Sequence, residues 1–471
     1  MNSVQIARGE GGQAAVTAES IDSLKASFRG AIVRPGEAGY DEARTVWNAM
    51  IDRRPALVAR CVGVADIRRA VDFARTHKLL TAVKGGGHNI AGNAVCDGGF
   101  LIDLSLMRIV RVDPIAKVAH VAPGATLGDF DHETQAFGLA TPVGINSTTG
   151  IAGLTLGAGF GWLSRKYGMT IDNLREVDIV TADGQLRRAS EKENSDLFWA
   201  LRGGSGNFGV VTRFEFKLHE VGPNVLAGLV VYPHSQAASA LKKYREYVKT
   251  LSDDTSVWVV LRKAPPLPFL PTEVHGTDII AFCICYNGDP EQGEKAIAPV
   301  RKFGTALGEH VGVMPFTAWQ KAFDALLTPG ARNYWKSHNF TEISDGAIEK
   351  AVNYAGSLPS AQSEIFFGLI GGATTRVKPD AMAYSHRDAI YVMNVHTRWE
   401  NASEDKTCID WARAFFRETQ QYASGGVYVN FLTDDESDRI KAAYGPHYDK
   451  LLSIKKMYDP ENLFRMNQNI R

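Results

Sequence analysis

Lys84-Gly85-Gly86-Gly87-His88-Asn89 joins three consecutive glycines to an imidazole, directly after an apolar run at 79–83. Glycine tolerates φ > 0 and has no side chain to hold a ligand away, so successive amide N–H groups of such a bend can converge on an anion such as a pyrophosphate. Taken alone, the hexapeptide is equally compatible with an ordinary glycine turn.

A second small-residue stretch, 142–161, carries Gly144, Gly150, Gly153, Gly157, Gly159 and Gly161, with Ser147, Thr148 and Thr149 adding hydroxyls without bulk. It can wrap closely around a flat ligand, or pack helices through small residues. Gly204-Ser205-Gly206-Asn207-Phe208-Gly209 matches the letters of the dinucleotide fingerprint G-x-G-x-x-G. After it, however, Phe214, Phe216 and Leu218 alternate with Arg213, Glu215 and Lys217, which is a strand with no helix dipole to offer. The first glycine loop also leads into an extended run, 100–104. Neither context is that of a Rossmann site, and the 204–209 segment is read as a tight turn.

The elements that must hold these loops follow from periodicity. Val64, Ile67, Val71 and Ala74 predict one face of a helix over 64–77, and 79–83 predicts a strand. Residues 110–121, broken by Asp113-Pro114, and 177–187, with Asp183-Gly184, predict hairpins. A helix with Leu127 and Phe130 on one face follows Pro123. Near 218–223 the glycine-rich texture stops. Strand-like runs at 227–232, 256–261, 277–286, 364–370 and 389–396 then mix with helix-like ones at 235–250 and 291–303, as a second α+β domain would.

Composition sets the frame. Hydrophobic residues are 45%, charged residues 22%, and Lys plus Arg equals Asp plus Glu at 52 each, so no net field attracts nucleic acid or an anionic membrane. With 471 residues, two domains are expected. No segment approaches 18 uninterrupted apolar residues and no signal-peptide pattern opens the chain, so a cytoplasmic protein is expected. The five cysteines, Cys61, Cys96, Cys283, Cys285 and Cys408, are scattered, which suits neither a disulfide framework nor a metal site.

Four segments in order resemble one family: 84–89, 143–167 (VGINSTTGIAGLTLGAGFGWLSRKY), 197–211 (LFWALRGGSGNFGVV) and 444–470 (YGPHYDKLLSIKKMYDPENLFRMNQNI). Together they are similar to the vanillyl-alcohol-oxidase-type FAD enzymes, in the berberine-bridge-enzyme-like branch that includes bacterial 6-hydroxynicotine oxidases and oligosaccharide oxidases. The resemblance implies an α+β architecture with a PCMH-type two-part FAD-binding domain, 1–220 completed by 421–471. A substrate domain, 221–420, is inserted as an antiparallel sheet covered by helices. It implies FAD bound by Lys84, Gly85, Gly86, Gly87, His88, Asn89, Gly92, Gly144, Asn146, Thr148, Thr149, Gly150, Gly153, Val210, Asn430 and Asn467.

In the family the loop histidine is bonded to the flavin 8α-methyl, which makes His88 the expected attachment point. A neutral imidazole is a competent nucleophile there. Members with two attachments carry a cysteine in Gly-x-Cys-Pro-Thr-x-Gly. Here the stretch is Gly144-Ile145-Asn146-Ser147-Thr148-Thr149-Gly150, so Asn146 leaves a single linkage. Thr149 stands at the family's oxygen-gating position and is near valine in size, which implies dioxygen as partner and an oxidase that yields hydrogen peroxide.

A hydride-abstracting site also needs a group for the O–H or N–H proton. Counted back from Trp399, Asn394 falls where plant members carry Glu or Gln; it can orient a hydroxyl but cannot act as a base. Strand period two puts His396 on the same face, either in the cavity or satisfied elsewhere. Tyr428-Val429-Asn430-Phe431 resembles the family's Tyr-x-Asn-Tyr strand with Phe431 replacing the second tyrosine, so Tyr428 is the expected acid/base or substrate hydrogen-bonder. Trp319, Tyr334, Trp335, His338 and Phe366 are candidates to line the cavity. The substrate is a small alcohol, sugar hydroxyl or amine. A monooxygenase or oxidative cyclase on the same fold, or a flavin binder without turnover, are the alternatives.

Overall fold

The computed structural model describes residues 3–471. Its first part contains, besides two two-stranded sheets, a four-stranded and a five-stranded sheet that share a core. In the smaller, Leu57–Arg60 and Thr81–Lys84 both pair in parallel with Phe100–Asp103, and Ala31–Val33 closes one edge. The helix Val64–His77 makes the crossover, burying Ile67, Ala70, Val71 and Ala74 at the spacing of one helical face. The larger sheet is antiparallel, in the order Leu186–Ser190, Leu174–Val180, Val210–Lys217, Val118–Val121, Val110–Asp113. Val180 and Val210 of this sheet join Ile67, Phe100 and Ile102 in one apolar cluster.

A seven-stranded antiparallel sheet forms the middle of the chain. Its order is Gly308–Pro315, Asn224–Pro233, Asp278–Tyr286, Thr255–Lys263, Glu364–Leu369, Tyr391–Trp399, Arg332–Phe340. Alternation sorts its two faces. Val257, Val259, Leu261, Phe282, Ile365, Phe367 and Val395 are buried in a core shared with the helices Ala237–Val248, Asp345–Ala355 and Asp405–Thr419. Their neighbours Trp258, Val260, Arg262, Glu364, Phe366, Asn394 and His396 face the other way, into a cavity. The outer strands Gly308–Pro315 and Arg332–Phe340 carry no clean period and escaped the sequence reading; so did the last two helices, although they bury Ala347, Ile348, Ala351 and Ala355, and Cys408, Ala412, Phe415 and Thr419, at helical spacing. The helix expected over 291–303 stops at Ile297, and Pro299 separates it from a 3₁₀ turn, Val300–Lys302.

From Val427 the chain returns to the first part, where Leu432, Tyr444, Leu451 and Ile454 pack with Leu197, Phe198 and Phe208. The buried Lys455 ammonium ties the return together, donating to Asn207 O, Asp459 Oδ2 and Phe464 O at 2.7, 2.7 and 2.8 Å. The expected strand through Tyr428 is instead a 3₁₀ turn, Val429–Phe431, capped by Tyr428. Three residues per turn brings positions i and i+3 to one side, so the Tyr428 and Phe431 rings meet at 4.8 Å rather than diverging. No helix among the described residues is long and apolar enough to cross a membrane.

Candidate active site

A cavity of about 390 Å³ lies between the glycine loops and the open face of the seven-stranded sheet. That is an ordinary size for a small-molecule site. One half is built from backbone. The bend Gly85 to Asn89 crosses the Asn146 to Gly153 segment so closely that a Cβ on Gly86 would stand 2.4 Å from Gly150 N, and one on Gly150 equally close to Gly86 N. The amide N–H groups of Gly85 through Asn89 find no acceptor among the described residues. Unpaired amides in a partly buried bend are costly unless a ligand satisfies them. That donor set, a narrow apolar floor and the orphaned Asn467 Oδ1 suit a dinucleotide with an anionic bridge.

Of the residues expected around a cofactor, the cavity is lined by Gly85, Gly86, Gly87, His88 and Asn89 from the first loop. Gly144, Asn146, Thr149, Gly150 and Gly153 come from the second, and Val210, Asn430 and Asn467 from the remainder. Three stand back from it. Lys84 points beneath its strand, with its ammonium on Ala43 O and 3.6 Å from the buried Asp103 carboxylate, because a lysine at the end of a parallel strand needs that counter-charge. Gly92 turns the loop at φ +74 against Ile51. Thr148 lies behind His88 and reaches it by its hydroxyl.

His88 is held on two sides. Its ring stacks on Trp47 with centroids 5.1 Å apart, and its Nε2 lies 2.9 Å from Thr148 Oγ1. The Thr148 hydroxyl donates its own hydrogen to Asn146 Oδ1 at 2.8 Å, so it must accept from His88. The imidazole is therefore the Nε2–H tautomer, and the Nδ1 lone pair is free. Burial pushes its pKa down to about 4, against the opposing pull of the Thr148 backbone, and so keeps the ring neutral at ordinary pH.

The opposite half belongs to side chains. Asn394 is 1% exposed and its Oδ1 has no partner among the described residues. His396 sits across the sheet from Glu364, with Nδ1 3.3 Å from Glu364 Oε1 and Nε2 3.0 Å from Asn333 Oδ1. Burial lowers the His396 pKa against the pull of Glu364. Burial also opposes ionisation of Glu364, but Arg262, at 2.7 Å, and His396 outweigh it and hold the carboxyl below its usual range.

The Tyr428 hydroxyl accepts from Gly159 N and from Asn430 Nδ2, both at 3.0 Å. Burial raises its pKa to about 12, so near pH 7 it is a hydrogen-bond donor rather than a base. Asn430 fits because Gly157 has no side chain; a Cβ there would meet Asn430 Oδ1 at 2.1 Å. Among the aromatic candidates, Trp335 and Phe366 line the cavity. Trp319 packs on Trp162 in the core, Tyr334 donates to Asp435, and His338 is taken by Phe416 O. Trp47, Trp162, Trp258, Arg262 and Glu364 were missed. For Glu364 a signal existed, a single acid in the run Glu-Ile-Phe-Phe-Gly-Leu, whereas nothing local marks Trp47.

The geometry agrees with what the chain is similar to. Residues 55–190 match a family model described as FAD binding domain, and 427–471 match one described as berberine and berberine like. An FAD-linked oxidoreductase of Dictyostelium discoideum is 31% identical over 466 residues, 98% of this chain and 99% of that one. A chitooligosaccharide oxidase of Gibberella zeae is 27% identical over 93% of this chain and 91% of its own length. The crystal structure of 6-hydroxy-D-nicotine oxidase from Arthrobacter nicotinovorans superposes with a TM-score of 0.85 at 26% identity, covering 94% of this chain and 98% of that one. With a glycine cradle of unpaired amides facing a side-chain wall, and likeness running through both chains nearly end to end, this chain belongs to the berberine-bridge-enzyme-like family of FAD-linked oxidoreductases.

Proposed function

We propose that the protein is an oxidase whose FAD is joined to the chain once, through His88. It oxidises an alcohol, sugar hydroxyl or amine and passes the electrons to dioxygen with release of hydrogen peroxide. The observation that carries this reading is the Asn146–Thr148–His88 chain of hydrogen bonds, which leaves an uncharged imidazole with Nδ1 unprotonated on the cavity wall. An amide at 146 offers no second nucleophile, and its carbonyl instead fixes the tautomer of the first.

Bound there, FAD supplies the two-electron acceptor. Gly85 to Asn89 hold its anionic part by backbone, and Asn467 and Asn430 close over it. The Asn394 amide meets the reacting O–H or N–H and so orients the carbon beside it. The proton goes to the Glu364–His396 pair. With Nε2–H given to Asn333, the Nδ1 lone pair and a carboxylate face each other at 3.3 Å, which is a ready site for one proton. Tyr428 stays protonated and donates into the site. Thr149 lines the cavity with a small side chain, which leaves dioxygen room to approach. Five unpaired thiols are what a reducing compartment permits, and a cytoplasmic location is part of this reading.

Purified protein should be yellow and its acid precipitate should stay yellow, with the mass of the flavin on the peptide that contains His88. A peptide of unmodified mass in flavin-loaded protein sinks the linkage, and turnover without peroxide sinks the oxidase.

A further inference from the structure

The side-chain half of the cavity is short of polar partners. Leu229, Val231, Val260, Ile279 and Ala281 form its aliphatic floor on the sheet. Trp162, Trp258, Phe366, Phe431 and Trp335 wall it, with neighbouring centroids at 4.5, 5.9, 6.2 and 5.1 Å in that order. The charges present are spent on one another: Arg262 is on Glu364 at 2.7 Å, and Glu364 faces His396. Among the described residues, the unpartnered polar atoms of this wall, Asn394 Oδ1 and the Nε1 of Trp162, Trp258 and Trp335, are buried behind its surface.

A pyranose can lay its C–H face on an indole, but its hydroxyls project in the plane of the ring and each needs a partner at the rim. Here that rim is Leu, Val, Ile and Ala. A cationic amine would need a free carboxylate, and Arg262 already holds the one available. The Asn394 amide and the Tyr428 hydroxyl, on an otherwise aromatic and aliphatic wall, match a molecule with a single hydroxyl and a few ether or carbonyl oxygens.

We propose that the substrate is an uncharged, flat, multi-ring aryl alcohol whose one hydroxyl meets the Asn394 amide, and not a saccharide. This rests on the oxidase reading and narrows it.

The test titrates holoprotein with fused-ring and biaryl carbinols, and separately with cellobiose, xylobiose and chitobiose. It reads quenching of tryptophan fluorescence and, without oxygen, bleaching of the flavin absorbance. Carbinols should quench with saturation and bleach, with kcat/KM about 100-fold or more above any saccharide. Val260→Asn and Trp258→Phe should each weaken carbinol binding about 10-fold while the acid-stable colour remains. A saccharide that binds and bleaches as well as the best carbinol overturns the assignment. So does a carbinol set that fails to quench in protein whose colour survives acid. Colour lost on acid precipitation overturns the linkage instead, and the fluorescence titration of that protein still decides the substrate class.

Discussion

The Thr148 hydroxyl stands 2.9 Å from His88 Nε2, and because it spends its own hydrogen on Asn146 it can meet that nitrogen only as an acceptor. A threonine outside the cavity thus decides which nitrogen of a cavity histidine is nucleophilic. Thr148→Val and Asn146→Leu should each slow covalent flavin incorporation about 5- to 10-fold, the equivalent of one hydrogen bond of about 1 kcal/mol. Flavin retained in acid-precipitated protein, followed over time after adding FAD to apoprotein, measures it. Thr148→Ser should restore the wild-type rate, and equal incorporation in the valine variant would show that the tautomer is set elsewhere.

Glu364→Gln should lower kcat by about 10²-fold or more, as expected for loss of a proton acceptor. His396→Asn should do the same. Both variants should keep their flavin, since neither residue touches the glycine half. If the two carboxyl and imidazole groups act as one unit, the double variant will be little worse than either single.

Gly86→Ala forces a methyl to within 2.4 Å of the Gly150 backbone, where nothing can rotate away. It should cost about 3 kcal/mol in denaturant unfolding or prevent flavin uptake. Gly153→Ala, whose Cβ would meet nothing within 4 Å, should unfold within about 0.5 kcal/mol of the parent.

Lys455→Met removes the cation from a fully buried Asp459 and leaves the Asn207 and Phe464 carbonyls without their donor. Breaking such a pair from one side costs about 3–5 kcal/mol. Proteolysis should then cut first between 427 and 471, because that segment is what the lysine pins.

Burial lowers the His338 pKa from 6.5 to about 4, the Phe416 carbonyl opposing and Arg439 assisting. The unfolded chain takes a proton there below about 6.5 while the folded chain refuses it until about 4. The stability present above pH 6.5 is therefore lost as pH falls through that window, by about 3 kcal/mol for this group. His338→Gln should flatten the fall of Tm between pH 6.5 and 4. An unchanged slope would place the proton uptake on other groups.

Much of this protein is local in origin, and that part could be read from residue order. The helix Val64–His77 and the hairpins at Asp113-Pro114 and Asp183-Gly184 follow from periodicity and turn chemistry within a dozen residues. So did the glycine bend beside His88, whose loops carry their own conformational permission. The 3₁₀ turn at Tyr428 was misread as a strand because four residues cannot distinguish period two from period three until Asn430 has Gly157 and Leu154 to lean on.

Amino-acid order alone determined the kind of ligand this chain can hold, since a backbone free of Cβ atoms is a property of residue type. What the ligand's reactive end meets was decided only by tertiary structure. Asn146, Thr148 and His88 become one relay, and Arg262, Glu364 and His396 one neutral cluster, through contacts that span 60, 102 and 32 positions of chain. Whether a histidine is a nucleophile or a filler depends on which hydrogen its neighbour has already given away, and that neighbour is chosen by folding.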